Sequence, residues 1–351
     1  MNKEIFASSG ILNGIFNQPI HHDMRHFTLT PWLASLTAGL SMMAVAPAAL
    51  ADYPEKPITF VVPSAAGGSP DVLSRVITNE LAKILNTPVV IDNKPGAAGN
   101  IGILNIISKP ADGYTIGYGN VNTLAVNRAL FKKLPYDVDL DLVPVAHAFD
   151  LYNVMIVRAD SPYQSAAAVI DAARKTPGKL SFGAPGVGTT GHMSGELFRS
   201  MAKIDVLYVP YNGGPAALQD LLGGRTDYLF ANSSEVVPLV TSGKVRALGV
   251  TSLKRLPLLP SVPTLDEAGL KGYETVSWGG IVASKKVPQP IIDKLNTAIQ
   301  AALKTPQVRE GLARLGAVPA GGTPAQFKQL IDRETARWTE VVESAKIEKL
   351  D

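Results

Sequence analysis

Short apolar runs alternate along the chain with longer segments in which apolar residues recur every three or four positions. The short runs predict strands and the longer segments predict amphipathic helices. The predicted strands cover residues 58–63, 88–93, 114–119, 153–159, 179–185, 205–210, 225–231 and 244–250. The C-terminal part, from residue 289 to residue 346, is predicted to be helical. Strands that alternate with helices indicate an α/β fold, and strands with little polar alternation indicate mainly parallel sheets covered by helices on both faces.

The number of predicted elements bears on domain organisation. After residue 52 about 300 residues remain, which is more than one open sheet usually needs, so we expect two lobes. A strand, a glycine-rich loop and the start of a helix occur at 58–72 and again at 179–195. The two lobes are therefore predicted to carry loops in equivalent places.

The N-terminal segment has the pattern of a secretion signal. An uncharged stretch, 27–51, follows Arg25 and ends in a small-x-small triplet, after which the sequence becomes polar. We predict a signal peptide over residues 1–51, with cleavage after Ala51. Two alternatives stay open: translation starts at Met24, or the stretch is an uncleaved membrane anchor, for which it is long enough.

Composition excludes several classes of function. Hydrophobic residues make up 46% of the chain and the net charge is +3, so global disorder and nucleic-acid binding are both disfavoured. There is no cysteine, and only His147 and His192 lie in the body of the chain. Disulfides, thiol nucleophiles and a histidine-rich zinc site are excluded, and we predict no metal and no cofactor.

The two glycine loops are the strongest candidates for a binding site. The first is PSAAGGSPD, residues 63–71, and the second is PGVGTTGH, residues 185–192. Glycine allows the backbone to approach a ligand closely, and the helix that follows presents free N–H groups at the positive end of its dipole. Each loop is therefore a candidate anion site that needs no basic side chain.

Other interpretations of these loops are weaker. Gly186, Gly188 and Gly191 form a literal G-x-G-x-x-G, but the strand after them lacks a terminal acid to hold a ribose, since Asp205 lies at its other end. A strand-to-helix turn without any ligand is the plain alternative. Nucleophilic catalysis lacks a G-x-S-x-G motif, and His192 is not placed to activate a serine two residues away on the same helix.

Blocks distributed over residues 53–350 resemble the Bug receptors, the substrate-binding proteins of tripartite tricarboxylate transporters. The blocks are YPEKPITFVVPSAAGGSPDVLSRVI, VIDNKPGAAGNIG, KPADGYTIGYG, KKLPYDVDLDLVPV, FGAPGVGTTGHMSGELF, VPYNGGPAALQDLLGGRTDYLF, GKVRALGVTS and VPTLDEAG. Their number, order and spacing are more specific than any single glycine motif. They cover essentially all of the chain that follows the predicted signal peptide.

The resemblance implies a two-lobe periplasmic-binding-protein clamshell of type II-like architecture. Lobe 1 is expected to comprise residues 53–150 plus 275–351 and lobe 2 residues 151–274, with two crossing strands as the hinge. The implied protein is a periplasmic monomer that captures a small organic carboxylate, a di- or tricarboxylate of aliphatic or aromatic kind, for a membrane permease. A periplasmic enzyme or a signalling receptor acting on a carboxylate in the same cleft remains the alternative.

The resemblance also suggests which residues face the cleft. Those from the glycine loops are Ser64, Ala65, Ala66, Gly67, Gly68 and Asp71, together with Gly188, Thr189, Thr190 and His192. Asn122 and Thr123 stand where the family usually has a histidine-containing stretch, which leaves the identity of the ligand open. Tyr211 and Asn232 begin loops after strands of lobe 2, where each either faces the far end of the ligand or is a turn residue.

Overall fold

The computed structural model of the protein describes residues 53–344 and 347–351. The predicted signal peptide, its cleavage site and the alternative start at Met24 lie outside these residues. Among the described residues, no helix combines the length and the apolar character that crossing a membrane requires.

The first of two sheets has six strands. They are β1 (Ile58–Val62), β2 (Val89–Asn93), β3 (Thr115–Asn120), β4 (Leu142–Leu151), β10 (Ser277–Ser284) and β11 (Ala317–Pro319). Their spatial order is β11-β4-β10-β3-β1-β2. We call this sheet and the helices packed on it lobe 1.

The second sheet has five strands, all from the middle of the chain. They are β5 (Asn153–Arg158), β6 (Ser181–Ala184), β7 (Leu207–Pro210), β8 (Tyr228–Asn232) and β9 (Val245–Val250), in the order β7-β6-β8-β5-β9. We call this sheet and its helices lobe 2. The chain passes from lobe 1 to lobe 2 between β4 and β5 and returns between β9 and β10.

Helices follow most strands, as the alternating pattern predicts. In lobe 1 they are α1 (Ser69–Ile84), α2 (Asn100–Ser108), α3 (Asn127–Leu130), α4 (Val138–Asp141), α9 (Gln289–Lys304), α10 (Pro306–Arg314) and α11 (Pro324–Ser344). In lobe 2 they are α5 (Ala166–Lys175), α6 (Thr190–Ala202), α7 (Gly214–Leu222) and α8 (Ser233–Thr241). A 3-10 turn (Ala97–Gly99) precedes α2, and a π-helical turn (Asn122–Val126) precedes α3.

Both sheets are covered on both faces, as the apolar strands predict. In lobe 1, Phe60 of β1 packs with α1 and α9 on one face, while Val61 packs with α2 and α11 on the other. Lobe 2 likewise has a separate cluster on each face, with Met155 in one and Val154 in the other. Consecutive strand residues thus enter opposite cores, which explains the lack of polar alternation.

The sheets are mixed, so the expectation of mainly parallel strands is wrong in this respect. β1 runs parallel to β2 and β3, and β6 runs parallel to β7 and β8. The strand that follows each passage between lobes runs the other way: β10 is antiparallel to β3 and β4, and β5 is antiparallel to β8 and β9. The reversal arises because these strands enter a sheet from the other lobe and not from a crossover helix of the same lobe.

Three strands of lobe 1, β4, β10 and β11, were not predicted from the sequence. Pro144, His147 and Asp150 interrupt the apolar pattern of β4, and β10 contains Gly279 and Gly280 in its first half. A Cβ atom on Gly280 would lie 2.5 Å from the carbonyl oxygen of Ala146, so the close approach of β10 and β4 requires glycine there. Residues of this kind are required or tolerated because of contacts between strands, and they obscure the local pattern that would predict a strand.

Candidate functional site

The first glycine loop connects β1 to α1. Gly67 has a left-handed backbone (φ +79°), and its N–H donates to Oδ2 of Asp71 at 2.9 Å. The other Asp71 oxygen accepts from Nδ2 of Asn93 at 3.1 Å, and Arg75 forms an ion pair with the same carboxylate at 2.9 Å. This buried carboxylate therefore holds the loop in one shape.

The electrostatic state of Asp71 follows from these contacts. Burial raises the pKa of its carboxyl group, but the hydrogen bonds from Arg75, the Gly67 N–H and Asn93 together lower that pKa below its ordinary value. Asp71 is thus ionised at neutral pH and its oxygens are occupied by protein donors. Its predicted contact with a ligand stays a prediction, and the structure assigns it the organisation of the loop.

The remaining residues of the first loop leave their backbone accessible. Ala65, Ala66 and Gly67 are exposed, and in the described part of the chain the N–H groups of Ala65 and Ala66 donate no hydrogen bond. The Ser64 carbonyl accepts from Asn93 at 3.2 Å, and the Gly68 N–H donates to the Ala65 carbonyl at 3.3 Å. The loop therefore presents free N–H groups beside the N-terminus of α1.

The second glycine loop connects β6 to α6 and repeats this geometry with other groups. Gly188 is also left-handed (φ +77°), and its N–H donates to Nδ1 of His192 at 3.2 Å. Thr189 is the N-cap of α6: its hydroxyl oxygen accepts from the His192 N–H at 3.3 Å and donates to the Gly186 carbonyl at 2.7 Å. Thr190, the first residue of α6, is buried.

His192 is a neutral, buried acceptor. Burial, assisted by the positive charge of Arg199, lowers the pKa of its imidazole to about 4. Its ring centroid lies 4.1 Å from that of Tyr208, and Nε2 lies 3.8 Å from Oε1 of Glu196. Like Asp71, His192 completes its own loop, and a direct contact between His192 and a ligand stays a prediction.

Packing explains the spacing of the second glycine motif. A Cβ atom on Gly191 would lie 2.5 Å from the Phe230 carbonyl oxygen, so glycine lets α6 pack closely on β8. A Cβ atom on Gly188 would lie 2.9 Å from Cδ2 of Leu130 in lobe 1. The glycines thus serve the close contacts of this loop, and none of these contacts depends on a nucleotide.

The second loop meets lobe 1 at the π-helical turn. Nδ2 of Asn122 donates a hydrogen bond to the Gly188 carbonyl. Thr123 is buried, and its hydroxyl bonds to Asn120 within lobe 1, at 3.1 Å from Oδ1. Asn122 therefore joins the two lobes, whereas Thr123 stabilises the turn that positions it.

Tyr211 and Asn232 lie at the ends of β7 and β8. Burial and the neighbouring Asp220 of α7 raise the pKa of Tyr211, and a Cβ atom on Gly183 would lie 3.0 Å from its ring. The half-buried Tyr211 side chain thus packs against lobe 2, and its contact with a ligand stays a prediction. Oδ1 of Asn232 accepts from Nδ2 of Asn153 at 3.2 Å, next to the residues of α8 that touch lobe 1.

The residues of lobe 2 that contact the first loop were not predicted from the sequence. The hydroxyl groups of Ser69 and Ser234 lie 2.7 Å apart, and the Ser69 N–H donates to Oε1 of Glu235 at 3.4 Å. A cavity of about 250 Å³ opens beside these contacts, and Gly67 contributes to its lining. In the sequence, Ser234 and Glu235 were indicated only by their position just after β8, at the end of a strand where binding loops are commonly found.

Within residues 53–344 and 347–351, no three His, Cys, Asp or Glu side chains lie together as metal ligands would. The geometry thus comprises two helix N-termini, each preceded by a rigid glycine loop and each in contact with the opposite lobe. Such an arrangement can bind an anion between lobes.

Comparison with known families decides which class of protein this is. The model of the family described as "Tripartite tricarboxylate transporter family receptor" matches residues 73–347. The chain belongs to this receptor family. The relationship predicted from the sequence blocks is therefore confirmed, and the receptor is a substrate-binding component of a transport system.

Individual relatives agree with this assignment. Protein BugT of Bordetella pertussis is 35% identical over 307 residues, which cover 87% of this receptor and 93% of BugT. The solved structure of R. palustris Rpa4515 with adipate has a TM-score of 0.82 and 37% identity, covering 85% of this receptor and all of that chain. MatC (Rpa3494) from Rhodopseudomonas palustris with bound malate has a TM-score of 0.78 and 34% identity, covering 83% of this receptor and 100% of MatC. The two-lobe fold is thereby confirmed.

Proposed function

We propose that this receptor captures a small organic carboxylate between its lobes at the first glycine loop. The observation that carries the proposal is the pair of exposed, unbonded N–H groups of Ala65 and Ala66 beside the N-terminus of α1. A carboxylate needs several hydrogen bonds when it leaves water, and these donors, with the α1 dipole, would supply them. Adipate and malate, bound by two similar proteins, are small carboxylates of this kind.

Closure of the lobes is the mechanism we propose. The division of the strands between the two sheets supports lobes of 53–150 plus 275–351 and 151–274, connected by the passages at β4–β5 and β9–β10. A ligand seated on the first loop would be covered by the starts of α7 and α8 from lobe 2. The closed form would then present a new outer surface to the permease of a tripartite tricarboxylate transporter.

Capture is favoured over chemistry by the roles of the titratable groups within the two glycine loops. Asp71 and His192 both hold loop glycines, so neither is free to act as a base toward a bound molecule. We further propose that the receptor is a monomer exported to the periplasm and cleaved after Ala51. N-terminal sequencing of the mature protein tests the cleavage site.

The binding proposal is tested by isothermal titration of residues 52–351 with adipate, malate, other aliphatic and aromatic acids, and NAD. We expect one class of acid to bind and NAD not to bind. Ala66→Asp should weaken binding of that acid about tenfold or more, since it places a negative charge among the donors. The matched control Ala66→Asn, similar in size but neutral, should bind within about twofold of the wild type.

Two results would contradict this proposal. Equal loss of affinity in Ala66→Asp and Ala66→Asn would mean that charge at the first loop does not matter. Binding of NAD with no response to any acid would favour the nucleotide interpretation. Recovery of the bound acid unchanged, measured by NMR after long incubation, separates a receptor from an enzyme that consumes it.

A further inference from the structure

Glu235 belongs to lobe 2 but directs its carboxyl group at lobe 1. It lies in the first turn of α8, where a glutamate commonly bonds back to its own N-cap. Among the described residues, the hydrogen bond of its carboxyl group comes instead from the N–H of Ser69, the first residue of α1, which donates to Oε1. The carboxyl group of Glu235 is therefore used between the lobes and not to cap its own helix.

The carboxyl group lies between two helix N-termini. It also rests on Gly214, the first residue of α7, where a Cβ atom would lie 2.5 Å from Oε2. Both helix dipoles favour negative charge at this place. The protein thus provides its own carboxylate at a position where dipoles from both lobes would otherwise favour a ligand carboxylate.

One oxygen of Glu235 lacks a partner. Oε2 has no contact with solvent and no hydrogen-bond partner among the described residues. The adjoining cavity of about 250 Å³ is lined by Gly67, Ser69, Ser234 and Glu235 together with apolar side chains such as Val72 and Leu218. This lining contains no Lys, Arg or His, so the protein supplies no counter-charge there.

We propose that Glu235 selects the cargo by pairing with an ammonium group, so that the ligand is a carboxylate carrying an amine and not a dicarboxylate. This inference rests on the proposed function, because it assumes that the ligand carboxylate binds the first loop. The ammonium end would then lie in the cavity and pair with the Glu235 carboxylate. The ligand would bring one positive and one negative group to the site, and the protein would bring the carboxylate of Glu235.

Electrostatics separates this ligand class from the diacids. A second ligand carboxylate beside Glu235 would bring two like charges together without a protein cation between them, which is unfavourable. Burial, opposed by the Ser69 N–H, raises the pKa of Glu235 to about 7, as expected for a carboxylate without a cation. An ammonium group supplies that cation.

The experiment is titration calorimetry of residues 52–351 at pH 8 with matched probes that differ at one end. The first set is hexanoate, adipate and 6-aminohexanoate, and the second is butanoate, succinate and 4-aminobutanoate. The wild type should bind at least one amino acid about tenfold more tightly than its matched diacid. Glu235→Gln should weaken the amino acid about tenfold and strengthen the diacid. Glu343→Gln, the same change on the exposed face of α11, should alter neither.

The outcomes distinguish this inference from the proposed function. If diacids bind more tightly than their amino counterparts in the wild type, or if Glu235→Gln leaves the preference unchanged, the role of Glu235 is wrong and carboxylate capture stands. If no probe and no acid of the wider panel binds, carboxylate capture itself fails. Circular dichroism of Glu235→Gln verifies that the variant is folded, and Glu235→Asp, which keeps the charge, should retain the preference for the amine.

Discussion

In both glycine loops a left-handed glycine donates its N–H to the side chain four residues later. In the first loop Gly67 donates to the carboxylate of Asp71, and in the second Gly188 donates to the imidazole of His192. The geometry is the same, but one acceptor is an anion with its own cation, Arg75, and the other is a neutral ring. The comparison shows that one backbone arrangement can be completed by an ionised acceptor or by a neutral one.

The surroundings of the two loops differ as well. The first loop exposes Ala65 and Ala66, whereas Gly188 of the second is buried against Leu130 of the other lobe. The first loop therefore keeps donors available for a ligand, and the second uses its backbone to hold the lobes together. Under the proposed function, loops that look equivalent in sequence would thus divide binding and closure between them.

The largest expected effect is that of Asp71→Ala. Removing this buried carboxylate leaves donors of Gly67, Asn93 and Arg75 without their acceptor, which should lower the free energy of unfolding by about 3 kcal/mol. Urea denaturation measures this loss, and ligand affinity should fall with it because the loop loses its shape. Asp205→Ala, at an exposed residue, serves as the control and should change stability by less than about 0.5 kcal/mol. Similar losses in both variants would contradict the role of Asp71.

Acid should affect the second loop before the first. The pKa of His192 is about 4 when folded and about 6.5 when unfolded, so its contribution to stability is complete above pH 6.5 and is lost as the pH falls towards 4. The loss should be on the order of 2 kcal/mol. Glu196, whose pKa burial raises, gains a proton over part of this range and opposes the loss. Unfolding measured from pH 7 to pH 4.5 should therefore be less pH-dependent in His192→Gln than in the wild type; equal slopes would exclude His192 as the cause.

The two left-handed glycines provide a matched pair. Gly67→Ala should cost about 1 kcal/mol, the price of a left-handed backbone alone, because nothing lies within 4 Å of its added Cβ. Gly188→Ala should cost about 2 kcal/mol, since its Cβ also meets Leu130 of lobe 1. Thermal unfolding of both variants gives the difference. Equal costs would mean that the second loop does not pack tightly on lobe 1.

The smallest expected effect is that of Asn122→Ala. The variant loses the hydrogen bond to the Gly188 carbonyl, which should reduce stability by about 1 kcal/mol. It should also favour an open arrangement of the lobes, seen as a larger radius of gyration in small-angle X-ray scattering without ligand. Asn105→Ala, in α2 and away from the contact between lobes, is the control. An unchanged radius would indicate that this bond does not limit opening.

Much of the fold and part of the site could be predicted from local patterns. Apolar runs marked most strands, and glycines between a strand and a helix marked both loops, because a left-handed turn has a local steric cause. β4 and β10 were not predicted because Pro144, His147 and the paired glycines of β10 interrupt the local strand pattern. The requirement for glycine in β10 comes from contacts between strands. Glu235 was not predicted because an acidic residue in the first turn of a helix is already explained by its favourable interaction with the helix dipole.

The sequence by itself determined the family, through ordered blocks along the chain. It also determined the alternation of strands and helices and the two loops, which depend on residues close together in the chain. Only the tertiary structure decided which groups meet between the lobes. Ser69 and Glu235 are 166 residues apart, and Asn122 and Gly188 are 66 apart. Local preferences act over a few residues, whereas these contacts exist only after two separately packed sheets have been brought together.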